Sequence, residues 1–174
     1  MQDQFDIIHN HMSWQALPFL SRLKKPSVTT NHNPVRDYCK DIYFAFNKLP
    51  YVSISDAYRR LNHPEQINYV DTVYNGINLD DYKFNKNKTG EYLLFLGRIC
   101  YDKGTAESIK IARELNLPLK IAGKVDRRDQ KYFDEEVRPH LQEGKIEYVG
   151  EVNLEQKNEL FESAVAVTYP INFD

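Results

Sequence analysis

Two cations stand at one end of an apolar run. Tyr92-Leu93-Leu94-Phe95-Leu96 leads through Gly97 into Arg98, and Ile99, Cys100, Tyr101 and Asp102 separate that arginine from Lys103-Gly104 and an apparent helix start. A strand apolar on both faces reads as the interior of a parallel sheet, whose carboxyl end is where such sheets bind ligands. Lys103 sits just before the helix, where the helix dipole presents partial positive charge and disfavours a cation. A phosphate held by the free N–H groups of the first helical turn, the forked guanidinium and the ammonium relieves that conflict. The plainer reading is a solvated loop with two ordinary basic residues, which every protein surface carries.

Histidines form the second constellation. His9 and His11 lie two apart on a candidate strand and so share a face, and His32 ends another. A metal pair with His32 as third ligand is conceivable, but a catalytic metal needs ligands and an open position that the sequence does not specify. Lining a cleft or bonding to neighbours is the expected role of His9 and His11. For His32 the plain alternative is a strand-end histidine bonded to a backbone carbonyl.

The elements that must position these groups alternate. Phe5-Asp6-Ile7-Ile8-His9 reads as a strand, 14–23 as a helix, 27–32 as a β-branched strand, 37–49 as a helix and Tyr51-Val52-Ser53-Ile54 as a short strand. Ser55 or Asp56 caps a helical turn through Leu61. Asn75-Gly76 and the polar run 85–90 bracket a linker, which divides the chain near residue 80 into units 1–80 and 81–174. The second unit repeats the alternation, with strands at 92–98, 119–123, 146–150 and 164–169. Helices are predicted at about 105–116 and 129–142 and from Leu154, the last with a capping box of Asn153 and Gln156, while Pro139 kinks or ends the second. The predicted fold class is α/β, two partial parallel-sheet units with helices on both faces.

Composition excludes several classes. The chain of 174 residues is 41% hydrophobic and 28% charged, as ordinary globular proteins are. Its net charge of −2 is evenly spread, so no basic field suits a nucleic acid. Lys24-Lys25, Arg59-Arg60 and Arg127-Arg128 are doublets too short for a polyanion, although one could touch anionic lipid. The two cysteines, Cys39 and Cys100, have neither disulfide-scaffold nor zinc spacing and fit a reducing cytosol. No apolar run approaches the twenty or so residues of a membrane span. The expectation is a cytoplasmic protein, at most peripheral to the inner face of a membrane.

In order along the chain, Asp6-Ile7-Ile8-His9-Asn10-His11, Thr30-Asn31-His32, Ile54-Ser55, Asn75-Gly76-Ile77-Asn78, Phe95-Leu96-Gly97-Arg98 with Lys103-Gly104, Ile121-Ala122-Gly123, Val149-Gly150-Glu151-Val152 with Lys157, and Pro170 resemble the motifs of the family 4 retaining glycosyltransferases. That family has the two-domain, Rossmann-like GT-B architecture. The resemblance implies transfer of a hexose from a nucleotide diphosphate sugar to an acceptor hydroxyl with retained configuration. It assigns Arg98 and Lys103 to the donor diphosphate, with Gly97 and Gly104 beside them. Gly123-Lys124, Gly150, Val152 and Lys157 would form the wall against nucleobase and ribose, and His32 would face the sugar as a catalytic group. No cofactor is implied beyond the donor substrate, and the acceptor, whether carbohydrate, lipid-linked or small molecule, is open. Metal-dependent glycosyltransferases of the other common fold hold their cation with an Asp-x-Asp pair, and none occurs in this sequence, so metal-free transfer is expected.

Two departures qualify the resemblance. The family's N-terminal strand with its Gly-rich loop has no counterpart here, and its Glu-x7-Glu element would follow Pro170. Glu135 with Glu143 and Glu151 with Glu159 have that spacing without the preceding Pro-Phe-Gly turn. The sequence therefore reads as an internal fragment, incomplete as an enzyme. Alternatives are a non-catalytic nucleotide-sugar-binding or partner-docking fragment, or a related nucleotide-sugar epimerase.

Overall fold

A computed structural model describes residues 4–82 and 90–172; most of the polar run expected as linker lies outside the described residues. The chain divides into two compact units, Met1–Ile77 and Asn78–Asp174.

In the first unit four parallel strands lie in chain order: β1 (Ile8–Asn10), β2 (Ser27–Asn31), β3 (Tyr51–Ser53) and β4 (Tyr69–Thr72). β4 is absent from the sequence reading. It is a short edge strand in which only Tyr69 is buried while Val70 and Asp71 face solvent, so it shows neither an apolar run nor a strong alternation. The helix expected over 14–23 is a 3-10 turn, Ser13–Ala16, followed by the single turn α1 (Leu17–Leu20), whose Pro18 sits at a position that tolerates a missing N–H. α2 (Asp37–Ala45) stops short of Leu49. Ser55, not Asp56, caps α3 (Asp56–Leu61), its hydroxyl accepting from the Tyr58 N–H. Leu17, Leu20, Val35, Cys39, Ile67 and the rings of Tyr43, Tyr51 and Tyr69 fill the core.

That core is polar toward the carboxyl ends of its strands. Asn31, fully buried, donates to the Tyr69 hydroxyl and accepts from that of Tyr43, which also pairs with Ser13. Burial pushes the Tyr43 pKa up to about 12, so the ring stays a neutral hydrogen-bonding group. A buried network with all these partners made rigidifies the strand end that carries His32.

In the second unit β5 (Tyr92–Leu96), β6 (Leu119–Ala122), β7 (Ile146–Gly150) and β8 (Ala164–Val167) form a parallel sheet of order β7-β6-β5-β8. Tyr92, Leu93, Leu94 and Phe95 are all buried, as a strand flanked on both sides requires. α4 (Thr105–Leu115) lays Ile109 and Ala112 against Leu93, Phe95, Leu119 and Ile121. The segment predicted as one helix over 129–142 is a chain of shorter pieces: a 3-10 turn at Arg127–Asp129, α5 (Gln130–Tyr132), a π-helical turn at Phe133–Val137 and a 3-10 turn at Arg138–His140. Pro139 has no N–H to continue an α-helical ladder, and the helix widens before it and tightens after it. α6 (Leu154–Glu162) carries the predicted capping box in both directions, Gln156 N–H to Asn153 Oδ1 and Asn153 N–H to Gln156 Oε1.

Candidate functional site

The carboxyl ends of β5, β6 and β7 are tied together by backbone bonds, one of them at a glycine that has no room for a side chain. Gly97 donates to the Ala122 carbonyl at 3.0 Å, Gly123 to Gly150 at 2.8 Å, and Ile99 to Lys124 at 2.9 Å. Gly123 has φ of 145°, and a Cβ there would stand 1.8 Å from the Gly97 carbonyl oxygen. The order β7-β6-β5-β8 also means that chain winding reverses between β5 and β8, the switch point at which open α/β sheets leave a crevice. At that point Gly104, with φ of 72°, lies so close to the segment after β8 that a Cβ would meet the Pro170 carbonyl oxygen at 1.8 Å. Gly97 meets the Tyr169 ring there as well.

Arg98 leaves this junction toward the β6 side. Its guanidinium lies 3.7 Å from Asp129, 3.9 Å from Asp102 and 4.0 Å from Asp126, and its Nε donates to the Cys100 sulfur at 3.4 Å. The hydrogen bond to Cys100 raises its pKa most, partial desolvation opposes, and Asp129 and Asp126 add to the rise. None of the carboxylate distances is that of a direct hydrogen bond, so the fork is held in a carboxylate cage with donors to spare.

Lys103 leaves the junction on the other side. It ends a 3-10 turn, Tyr101–Lys103, with Gly104 between it and α4, and its ammonium lies 5.2 Å from the centre of the Tyr169 ring after β8. The two predicted phosphate ligands therefore lie on one connection between β5 and α4, Arg98 among the carboxylates and Lys103 near the Tyr169 ring. Lys124 pairs with Asp126 at 3.3 Å, which couples it to the cage. The three aspartates and Tyr169 escaped the sequence reading. Asp102 follows Arg98 by four residues and Asp126 follows Gly123 by three, but acidic residues are too common for that spacing to stand out.

The remaining predicted wall residues diverge. Gly150, with φ of 80°, has no neighbour near its missing Cβ, so glycine serves conformation there and not space. Val152 opens on a cavity of about 330 Å³ shared with Tyr92, Lys120, Gln156 and Leu160. Lys157 donates to the Tyr82 hydroxyl at 2.8 Å and lies over the same ring.

In the first unit the histidines do come together. His11 Nδ1 lies 2.8 Å from His32 Nε2, the His9 and His11 ring centres are 4.1 Å apart, and His9 Nε2 meets the Thr30 hydroxyl at 2.8 Å. Although His9 keeps much of its surface open, water lost from its imidazole lowers its pKa, and His11 and His32 lower it further. Among the described residues no group of three or more His, Cys, Asp or Glu could hold a metal ion. No helix among them is long and apolar enough to cross a membrane.

The fold is shared with solved glycosyltransferases. AviGT4, a glycosyltransferase involved in avilamycin A biosynthesis, is 21% identical with a TM-score of 0.63, covering 93% of this chain and 45% of its own. A glycosyltransferase from Rickettsia africae is 14% identical with a TM-score of 0.68, covering 98% and 52%. S. aureus TarM, crystallised as a mutant in complex with fondaparinux, alpha-GlcNAc-glycerol and UDP, is 15% identical with a TM-score of 0.67, covering 95% and 36%. The chain thus spans about half or less of the length of these structures, and its two sheets correspond to parts of the two Rossmann-like domains of the GT-B fold, as the sequence predicted. No curated protein matches the chain. The family described as glycosyl transferases group 1 matches residues 77–173, more than half of the sequence and the whole of the glycine junction with Arg98 and Lys103, and the chain belongs to that family.

Proposed function

We propose that this chain is the donor-binding part, with a portion of the acceptor side, of a retaining glycosyltransferase that moves a hexose from a nucleotide diphosphate sugar to an acceptor hydroxyl without a metal ion. The observation that carries the reading is the glycine junction at the carboxyl ends of β5, β6 and β7, with Arg98 and Lys103 rising from it. Backbones that approach this closely at Gly123 and Gly104 lock the strand ends together and fix the connection that carries Arg98 and Lys103. Arg98 would grip the diphosphate in a forked contact and Lys103 as a point charge. Both would stabilise the charge that grows on the leaving nucleoside diphosphate as the glycosidic bond breaks. Gly123, Lys124, Gly150, Val152 and Lys157 are the proposed nucleoside wall, residues 1–80 the proposed acceptor-side portion with His32 as its sugar-facing group, and the cytoplasm the proposed location.

UDP is the first probe to use, because TarM was crystallised with it. Calorimetry on the chain is expected to show UDP binding that falls at least tenfold when Arg98 and Lys103 are both changed to Ala. Equal binding by wild type and the double variant would overturn the site. A second reading, a non-catalytic partner-docking fragment, draws on β8, whose Val165 and Val167 are exposed on a strand paired only with β5 among the described residues. Sugar transfer to any hydroxyl acceptor by the chain would exclude it, and interconversion of the donor sugar without transfer would favour an epimerase.

A further inference from the structure

We infer that His11 is a positioning residue, which through one ring-to-ring hydrogen bond ties the tautomer of His32 to its own and sets which way that ring faces. His11 follows β1 and His32 follows β2, and because Asn10 pairs with Thr29 the end of β2 runs two residues past that of β1, which leaves both rings at the same edge of the sheet. The contact is His11 Nδ1 to His32 Nε2 at 2.8 Å, with ring planes 25° apart. Two neutral imidazoles at that distance hold one proton between them: one nitrogen donates and the other accepts. The second nitrogen of His32 then has the opposite role and is the one left to face a ligand.

The surroundings hold the pair in place. The His9 ring packs on His11 and is itself tied to Thr30. Buried Asn10 accepts from the Met12 N–H and donates to the Ser13 carbonyl and Thr29 hydroxyl, which fixes the backbone on both sides of His11. With that bond made, His11 Nδ1 and His32 Nε2 take opposite roles, so the tautomer of each ring follows the other's. The role of His11 in transfer rests on the reading of His32 as a sugar-facing group; its control of the His32 ring does not.

The test uses the whole chain labelled with ¹⁵N at its five histidines, whose ring-nitrogen shifts report tautomer and protonation separately. Wild type above its histidine titrations is expected to show complementary tautomers at His11 and His32 in matching proportion, and His11→Ala a changed tautomer ratio at His32. His11→Asn, which returns an amide to the place of Nδ1, is expected to move the ratio back toward that of wild type. His11→Gln, which puts its amide at the place of Nε2, is not. An unchanged His32 tautomer ratio in His11→Ala, or equal behaviour of the Asn and Gln variants, would overturn the inference whatever the activity. In a transfer assay His11→Ala should lower kcat about two- to tenfold, the weight of one neutral hydrogen bond, with donor KM unchanged and His11→Asn rescuing. If the tautomer follows His11 while UDP binding is the same in wild type and the Arg98, Lys103 double variant, the donor-site reading fails and the positioning role stands.

Discussion

Arg98 Nε and Asp129 Oδ2 are 3.7 Å apart, close enough for attraction and too far for a hydrogen bond, and Asp129 is the better buried of the two. An anion arriving at Arg98 must therefore compete with a carboxylate field that already surrounds it. Asp126 contributes to that field and also draws Lys124. Asp126→Asn is expected to tighten UDP binding about two- to fivefold, the range of a partly exposed ion pair, with the gain shrinking at high salt. Calorimetry at two salt concentrations checks both the direction and the salt dependence.

The glycines at the switch point are not equivalent to glycines elsewhere. Gly104→Ala combines a left-handed backbone with a Cβ 1.8 Å from the Pro170 carbonyl oxygen, and should cost more than about 1–2 kcal/mol in urea unfolding. Gly76→Ala meets nothing within 4 Å and should be neutral or stabilising by up to about 1 kcal/mol. Similar losses for both would mean that close approach at Gly104 is not what glycine provides.

His9 gives the fold a pH dependence whose sign is determined. Its folded pKa lies below the usual histidine value, so the unfolded chain binds the proton more readily. The contribution is fully present above about pH 6.5, the unfolded value, and is lost as pH falls through it toward the lower folded value. Thermal unfolding of His9→Gln should show a smaller loss of Tm than wild type between about pH 7 and pH 5.5. A loss equal to wild type would remove His9 as the source.

The capping box of α6 is a local device with a local cost. Asn153→Ala removes the acceptor of the Gln156 N–H and should destabilise the second unit by about 1 kcal/mol. Asn153→Asp should keep most of that stability, since its carboxylate accepts the same bond and favours the helix N-terminus. Denaturant midpoints of the two variants separate the cap from a general surface effect.

Local signals carried much of this molecule. The burial of β5, the extent of β7 and the capping of α6 follow from apolar runs and short-range spacing, which depend on nothing distant. β4 escaped because a short edge strand with one buried side chain has almost no pattern of its own, and its Tyr69 is held by a hydrogen bond from Asn31 in β2. The broken helix at 127–140 was foreshadowed by Pro139, yet only packing of Phe133 and Val137 into the core determines how the backbone widens there. Arg98, Lys103 and their glycines could be picked out because close backbone approach demands glycine and a buried strand end draws attention to its cations. That Arg98 turns toward Asp126 and Asp129 after β6, Lys103 toward Tyr169 after β8, and His11 onto His32 was decided by which strands lie side by side. Those partners are distant in the chain, and only the parallel sheets bring them within reach of one another.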